Sequence, residues 1–342
     1  MSSKAPLRVL LTNDDGPPGR DSPYIYGLYR HLKDDLGWDV KVVIPSSQKS
    51  WIGKAYQITE TVKGRYFYPR QPDGVQGDLS EFPRPLKDGE HAEWVLLDGT
   101  PATCANIALH NLYPGQIDLL ISGPNLGRNT SAAFSLSSGT IGAALSSSLS
   151  KIRSIAVSYG TVVHPTPAVY FEPAHLLSSH IIRYLWDNWG LDEGGIRNGE
   201  VDLYNVNVPM VEGLLTEKGL DIYWTKIWRN SYGRLFKAQE TKPTTSPAGP
   251  DSLNAPSAGF KESNGDHQVD DSMKLVFRFA PDIAPLINPA KSSLPLGTDG
   301  WAISNGWASV TPLRASFAEP PSVQEQEETV QQADKRLWKM KL

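Results

Sequence analysis

The chain has 342 residues, a formal net charge of -4 and one cysteine. That length supports one large α/β domain, or one domain with sizeable insertions, around a substantial core. The charge gives no global attraction to nucleic acid, the single Cys104 excludes a disulfide framework or multi-cysteine metal site, and no apolar run is long enough to span a bilayer. Met1-Ser2-Ser3-Lys4-Ala5-Pro6 also lacks the apolar core of a signal peptide. A cytoplasmic protein is therefore expected, with no membrane and no stable nucleic-acid partner.

The first predicted strand, Leu7 to Thr12, stops at Asn13-Asp14-Asp15-Gly16-Pro17-Pro18-Gly19. An apolar run bounded by Gly and Pro reads as a buried strand of a parallel sheet. Ligands of open α/β sheets sit beyond the carboxyl ends of the strands, which makes Asp14 and Asp15 candidate site residues. Neighbouring strand residues face opposite ways, so the two carboxylates share a ligand only where the backbone turns, as Gly16 to Gly19 permits. Two acids that close repel unless a cation lies between them, and hard oxygens suit magnesium or manganese. An Asx-turn followed by a helix N-cap explains the same Asp-Asp-Gly, and that motif alone does not choose.

Ile25, Leu28, Leu32 and Leu36 recur at helical spacing before Gly37, and Val40 to Ile44 completes a βαβ unit. The polar loop Pro45 to Gly53 forms a second wall of the site. Residues 61–93 have no sustained period and are expected as an insertion or flexible hairpin outside the sheet. Trp94 to Leu97 resumes the core. Thr100 N-caps a helix that begins at Pro101, runs to about Asn111 and buries Cys104 as a small hydrophobe.

The strand Ile117 to Ser122 opens into Gly123-Pro124-Asn125-Leu126-Gly127-Arg128-Asn129. Ser137-Ser138-Gly139-Thr140 then precedes a small-residue helix, Ile141 to Leu149, and a strand, Ser154 to Ser158. Helix N-terminal amides, hydroxyls and an Arg make a ready anion site. Such glycines also serve tight turns and close packing, so each loop alone leaves both roles open. Neither loop matches the Walker motif or Gly-x-Gly-x-x-Gly, no Gly-x-Ser-x-Gly elbow occurs, and the seven histidines lack zinc-pair spacing. Glu172 to Asn188 reads as an amphipathic helix and Leu203 to Val208 as a strand. Ile222 to Trp228 and Leu275 to Phe279 are expected as two long strands of an aromatic hairpin, a candidate oligomerisation arm, flanking a mobile Pro/Ser/Gly/Asp-rich insertion at 241–272. Trp307 to Pro312 is the final predicted strand, and the tail 319–342 is expected as a frayed or partner-docked helix.

In this order the motifs resemble the SurE family, survival-protein nucleotidases and acid phosphatases that cleave phosphate monoesters with a divalent metal. The resemblance rests on Thr12 to Gly16, Pro45 to Gly53 with Ser50, Gly99-Thr100-Pro101-Ala102, Ser122 to Asn125 with Gly127 and Asn129, and Ser138-Gly139-Thr140. Tyr204 to Pro209, Gly297-Thr298-Asp299 and Ser309 to Leu313 are similar too. It implies a Rossmann-like, mostly parallel sheet flanked by helices with an extended β-hairpin arm, in a single domain over 1–342 whose core is about 7–313. It also implies that Asp14, Asp15, Ser50 and Asn125 hold magnesium or manganese, that Asp14 and Asp15 are catalytic, and that Asn13, Asn129, Ser138, Gly139 and Thr140 meet the phosphate. Arg128 is added to the phosphate group from the loop chemistry. The loop Ser46-Ser47-Gln48-Lys49 and the residues Pro124 and Leu126 depart from the bacterial pattern and resemble the eukaryotic, largely fungal, acid phosphatase branch. The resemblance further implies a homodimer or higher homo-oligomer. The expected activity is phosphomonoester hydrolysis, by attack of water or through an aspartyl phosphate. The alternative is an inactive nucleotide- or metal-binding regulatory module on the same scaffold.

Overall fold

The computed structural model describes residues 5–161, 165–238, 275–282 and 284–318. The expectations for 241–272 and 319–342 fall outside the described residues. The chain divides into two compact units, Met1–Arg229 with Leu294–Leu342, and Asn230–Ser293.

The first unit is built on a sheet that contains β1 (Arg8–Thr12), β2 (Asp39–Pro45), β3 (Gly64–Pro69), β4 (Gly77–Ser80), β5 (Trp94–Leu97), β6 (Leu119–Leu126), β7 (Arg153–Thr161), β8 (Leu203–Met210), β9 (Ile222–Trp224) and the late strand Ala308–Leu313. Its order is β4-β3-β5-β2-β1-β6-β7-β8, then Ala308–Leu313, then β9. The six strands from β5 to β8 run parallel, and Ala308–Leu313 pairs antiparallel with β8. The chain leaves β1 toward β2 and later returns to β6 on the other side of β1. The sheet therefore has its topological switch point between β1 and β6, where a crevice opens beyond the strand ends.

Alternation along the strands sorts side chains to two faces. Val9, Leu11, Val42, Ile44, Ile121, Val157 and Val206 pack beneath α1 (Ile25–Arg30) and the long helix α5 (Phe171–Asp187). Leu10, Val43, Val95 and Leu120 pack beneath α2 (Pro101–Ile107) and α4 (Gly139–Leu149), with Cys104 buried among them. The second face turns polar toward the late strands. Ser158, Asn205, Asn207, Ser309 and Thr311 are all fully or nearly buried there.

Residues 61–93 are not outside the sheet. The short aromatic run in β3 pairs antiparallel with β5 and β4, which extends the sheet by two strands. Surrounding Gly and Pro hide that run from a periodicity search, and an ion cluster closes it, with Arg84 donating to Glu90 at 2.6 Å. The aromatic hairpin also differs from expectation. Ile222–Trp224 is a short edge strand of the main sheet, whereas the second unit pairs β10 (Phe236–Ala238) with β11 (Phe277–Phe279). A helix between the two polar loops, α3 (Ser131–Ser137), was also not read from the sequence. The chain completes its elements with α6 (Ala284–Ile287), α7 (Asp299–Ser304) and β12 (Ala308–Leu313).

Candidate active site

The turn after β1 is built by its own side chains. Asn13 Nδ2 donates to the Gly16 carbonyl at 2.7 Å and to Ser22 Oγ at 3.0 Å, while Asn13 Oδ1 accepts from the Gly16 amide at 3.1 Å. Asn13 therefore spends its side-chain amide on shaping the turn. Gly16 supplies the positive φ of 81° that the turn requires, and its Cα lies against the Ser47 backbone. Asp14 and Asp15 emerge from this turn, both buried.

Each carboxylate accepts from a neighbouring element. Thr140 Oγ1 donates to Asp14 Oδ1 at 2.6 Å, and the Leu126 amide donates to Asp15 Oδ2 at 2.7 Å. Thr140 stands in the first turn of α4, whose N-cap Ser138 accepts from the Ile141 amide at 3.1 Å. Gly139 is required there because a Cβ would stand 2.8 Å from Asp14 Cβ and 2.9 Å from Ile52 Cγ2. Asp14 thus sits against the positive end of α4. Burial pushes the Asp14 carboxyl up, and the Thr140 hydroxyl with the Gly139 and Thr140 amides pulls it back. Burial and the adjacent Asp14 charge push Asp15 well above the usual carboxylate range. Burying two like charges side by side is costly unless a cation joins them.

Asn125 follows a bulge in β6. The β6–β7 register shifts between Ser122 and Asn125, and Gly123, at φ 121°, lies so close to the Val157 carbonyl that no Cβ fits. The bulge re-aims the strand end. Asn125 Nδ2 donates to the Gly127 carbonyl at 2.8 Å, which orients its Oδ1 away from that bond. Ser50 is exposed on the second loop, which is stitched to the first by the Lys49 amide donating to the Asp14 carbonyl at 2.6 Å. The structure thus carries Asp14 and Asp15 on the first loop, Ser50 on the second and Asn125 at the end of β6, all with oxygen donors of the kind hard cations take. Among the described residues there is no group of three or more His, Cys, Asp or Glu placed to hold a metal ion. Replacing Thr140 with valine keeps the volume and removes the bond to Asp14. A ten- to hundred-fold weaker metal affinity, read by calorimetric titration, is the expected cost of freeing a ligand from its support.

Asn129 is placed differently from its expected role. Its Nδ2 donates to Ser158 Oγ at 2.8 Å, its amide donates to Asn207 Oδ1 at 2.7 Å, and its carbonyl accepts from Asn205 Nδ2 at 2.9 Å. It plugs the loop into the polar face of β7 and β8. Arg128, beside it, has a buried Nη2 with no hydrogen-bond acceptor. Burial lowers its affinity for a proton, with the Asp299 charge opposing. Asp299 accepts from the amides of Ser131 at 2.8 Å, Trp228 at 2.9 Å and Gly300 at 2.7 Å. It holds Ser131 at a positive φ of 74°. The supporting roles of Asn205, Asn207, Ser158 and Asp299 were not assigned from the sequence. The available signal was polar residues recurring at period two in strands that should be apolar, as in Asn205 and Asn207.

Residues 9–234 match the family model described as survival protein SurE. The chain belongs to the SurE family. The chain is similar to the Saccharomyces cerevisiae protein named "Probable tubulin–tyrosine ligase PBY1", 32% identical over 91% of this chain and 41% of the yeast protein. The chain thus spans about two-fifths of that relative's length. The "5'-nucleotidase SurE" of Desulforamulus reducens is 25% identical over 92% of this chain and 94% of its own. That of Carboxydothermus hydrogenoformans is 29% identical over 68% and 75%. A solved SurE structure from Aquifex aeolicus shares the fold, with a TM-score of 0.56 and 23% identity over 91% of this chain and 94% of that one. The SurE-matched stretch includes Asp14, Asp15, Ser50, Asn125 and Ser138 to Thr140, whereas Asp299 lies beyond it.

Proposed function

We propose that the protein is a metal-dependent phosphomonoesterase, a nucleotidase or broad-specificity acid phosphatase acting on small phosphate monoesters such as nucleoside monophosphates. The observation that carries the reading is the buried Asp14–Asp15 pair at the end of β1, with Asp14 bonded to Thr140 and Asp15 to the Leu126 amide. The names of the bacterial relatives support it.

Asp14, Asp15, Ser50 and Asn125 would hold magnesium or manganese. The ion supplies charge neutralisation at the phosphate oxygens and a lowered barrier to attack on phosphorus. The Arg128 guanidinium and the Ser138 hydroxyl stabilise the negative charge that develops on the transferring group. Thr140 holds Asp14 in place, Gly139 gives the phosphate room, and Asn13 and Asn129 keep the two loops in register. The carboxylate pair also accepts the proton of the attacking water. The reading carries a cytoplasmic homodimer. Among the described residues no helix is long and apolar enough to cross a membrane.

The test is hydrolysis of a chromogenic phosphate monoester after chelator treatment, then with magnesium or manganese restored. Chelation is expected to remove essentially all turnover and metal to return it. Folded protein that is inactive with every divalent ion would replace this reading by a binding module on the same scaffold.

A further inference from the structure

The second loop is fastened along its length. Ser50 stands in a tight turn closed by the Ile52 amide, which donates to the Lys49 carbonyl at 3.3 Å. That turn is tied down on both sides, since the Lys49 amide donates to the Asp14 carbonyl at 2.6 Å and the Gly53 amide to the Ser137 carbonyl at 2.9 Å. The chain then runs along α4 as a strap. Positions 139, 142 and 146 recur at i, i+3 and i+7 and so share one stripe of that helix. Each meets the strap in turn. A Cβ on Gly139 would stand 2.9 Å from Ile52 Cγ2, and a Cβ on Gly142 would collide with the Gly53 carbonyl oxygen and stand 2.9 Å from Lys54 Cα. Ser146 Oγ shares a 2.6 Å hydrogen bond with the Tyr56 hydroxyl, and Thr100 Oγ1 donates to the Ala55 carbonyl at 2.6 Å.

At Gly142 the nearest neighbours are all backbone atoms. Backbone cannot turn aside as a side chain can, so a larger residue at 142 lifts the strap from α4. The same helix holds Asp14 through Thr140. We propose that Gly142 is a positioning residue, whose missing side chain lets α4 clamp the strap and so sets where Ser50 stands relative to Asp14 and Asp15. This rests on the metal site of the phosphomonoesterase reading, in which Ser50 and the two carboxylates share one cation. Ligands on separate loops hold a cation tightly only when their supports fix the spacing between them. Gly142 acts through the Gly53 backbone alone.

The experiment is a double-mutant cycle read by calorimetric titration of the metal-free protein with manganese, in the wild type, Gly142→Ala, Ser50→Ala and the double variant. Alanine is the better helix former inside α4, so the far-UV circular dichroism is expected to be unchanged. In the wild-type background Gly142→Ala is expected to weaken manganese binding about tenfold, and in the Ser50→Ala background by less than about twofold. Equal losses in both backgrounds, or none in either, overturn the role. Should Gly142→Ala fail to fold, Tyr56→Phe takes its place in the same cycle and is judged by the same outcomes. It cuts the strap's bond to Ser146 at an exposed position, and a loss of about threefold that disappears with Ser50→Ala is expected. Wild-type protein that binds manganese but hydrolyses no phosphate monoester would end the phosphomonoesterase reading alone, with the cycle still deciding the role of Gly142. Wild-type protein that binds no manganese would end both.

Discussion

Turnover in Asp15→Asn is expected to fall on the order of 10³-fold or more, because on the function proposed above the substitution removes both a metal-ligand charge and half of the proton-accepting pair. The fold should survive. An asparagine carbonyl oxygen can still accept from the Leu126 amide, which now bonds Asp15 Oδ2 at 2.7 Å. The metal-free variant should in fact melt higher than the metal-free wild type at neutral pH. Burial and the Asp14 charge both oppose ionisation of Asp15, and an uncharged amide removes that opposition. Steady-state assays and thermal melts in chelator check the two halves together. An Asp15→Asn protein that keeps its activity would remove Asp15 from the metal site.

The second large effect concerns stability. Asp299→Ala leaves the buried amides of Ser131, Trp228 and Gly300 without the acceptor they share. Each orphaned donor costs about 1–3 kcal/mol, and relief of a buried carboxylate offsets part of the sum, so a net loss of about 3–5 kcal/mol is expected. Burial pushes that carboxyl up to about 6, while the three amides pull it down. Asp299→Asn keeps one acceptor and should lose about half as much. Urea midpoints for the two variants measure the difference. An alanine variant as stable as the wild type would mean that the turn at Ser131 holds itself.

The apolar frame was legible because buried parallel strands announce themselves as uninterrupted runs. Leu7 to Thr12 and Trp94 to Leu97 were found within a residue of the strands Arg8–Thr12 and Trp94–Leu97. The strand at residues 64–69 was not, because three aromatic residues between Gly64 and Pro69 are too short a signal until β5 is seen beside them. The two candidate carboxylates were legible at a strand end, where the structure has them just after β1, since that follows from topology. The sequence did not reveal which polar side chains face a ligand and which face the protein. Asn13 and Asn129 look like binding residues in the chain and turn out to be engaged in holding loops. Asn13 is engaged within its own turn, whereas Asn129 is engaged by long-range pairing with β7 and β8.

That same long-range pairing has a kinetic meaning. The bond from Leu126 to Asp15 spans 111 residues, that from Thr140 to Asp14 spans 126, and that from Ser131 to Asp299 spans 168. Closing loops of this length is entropically expensive and slow compared with forming local helices. No short stretch of the chain contains the pocket, and β1 must find β6 before either carboxylate has its support. During folding, the supported carboxylate pair therefore arrives late and all at once. A nascent chain can be rich in helix and still have no site.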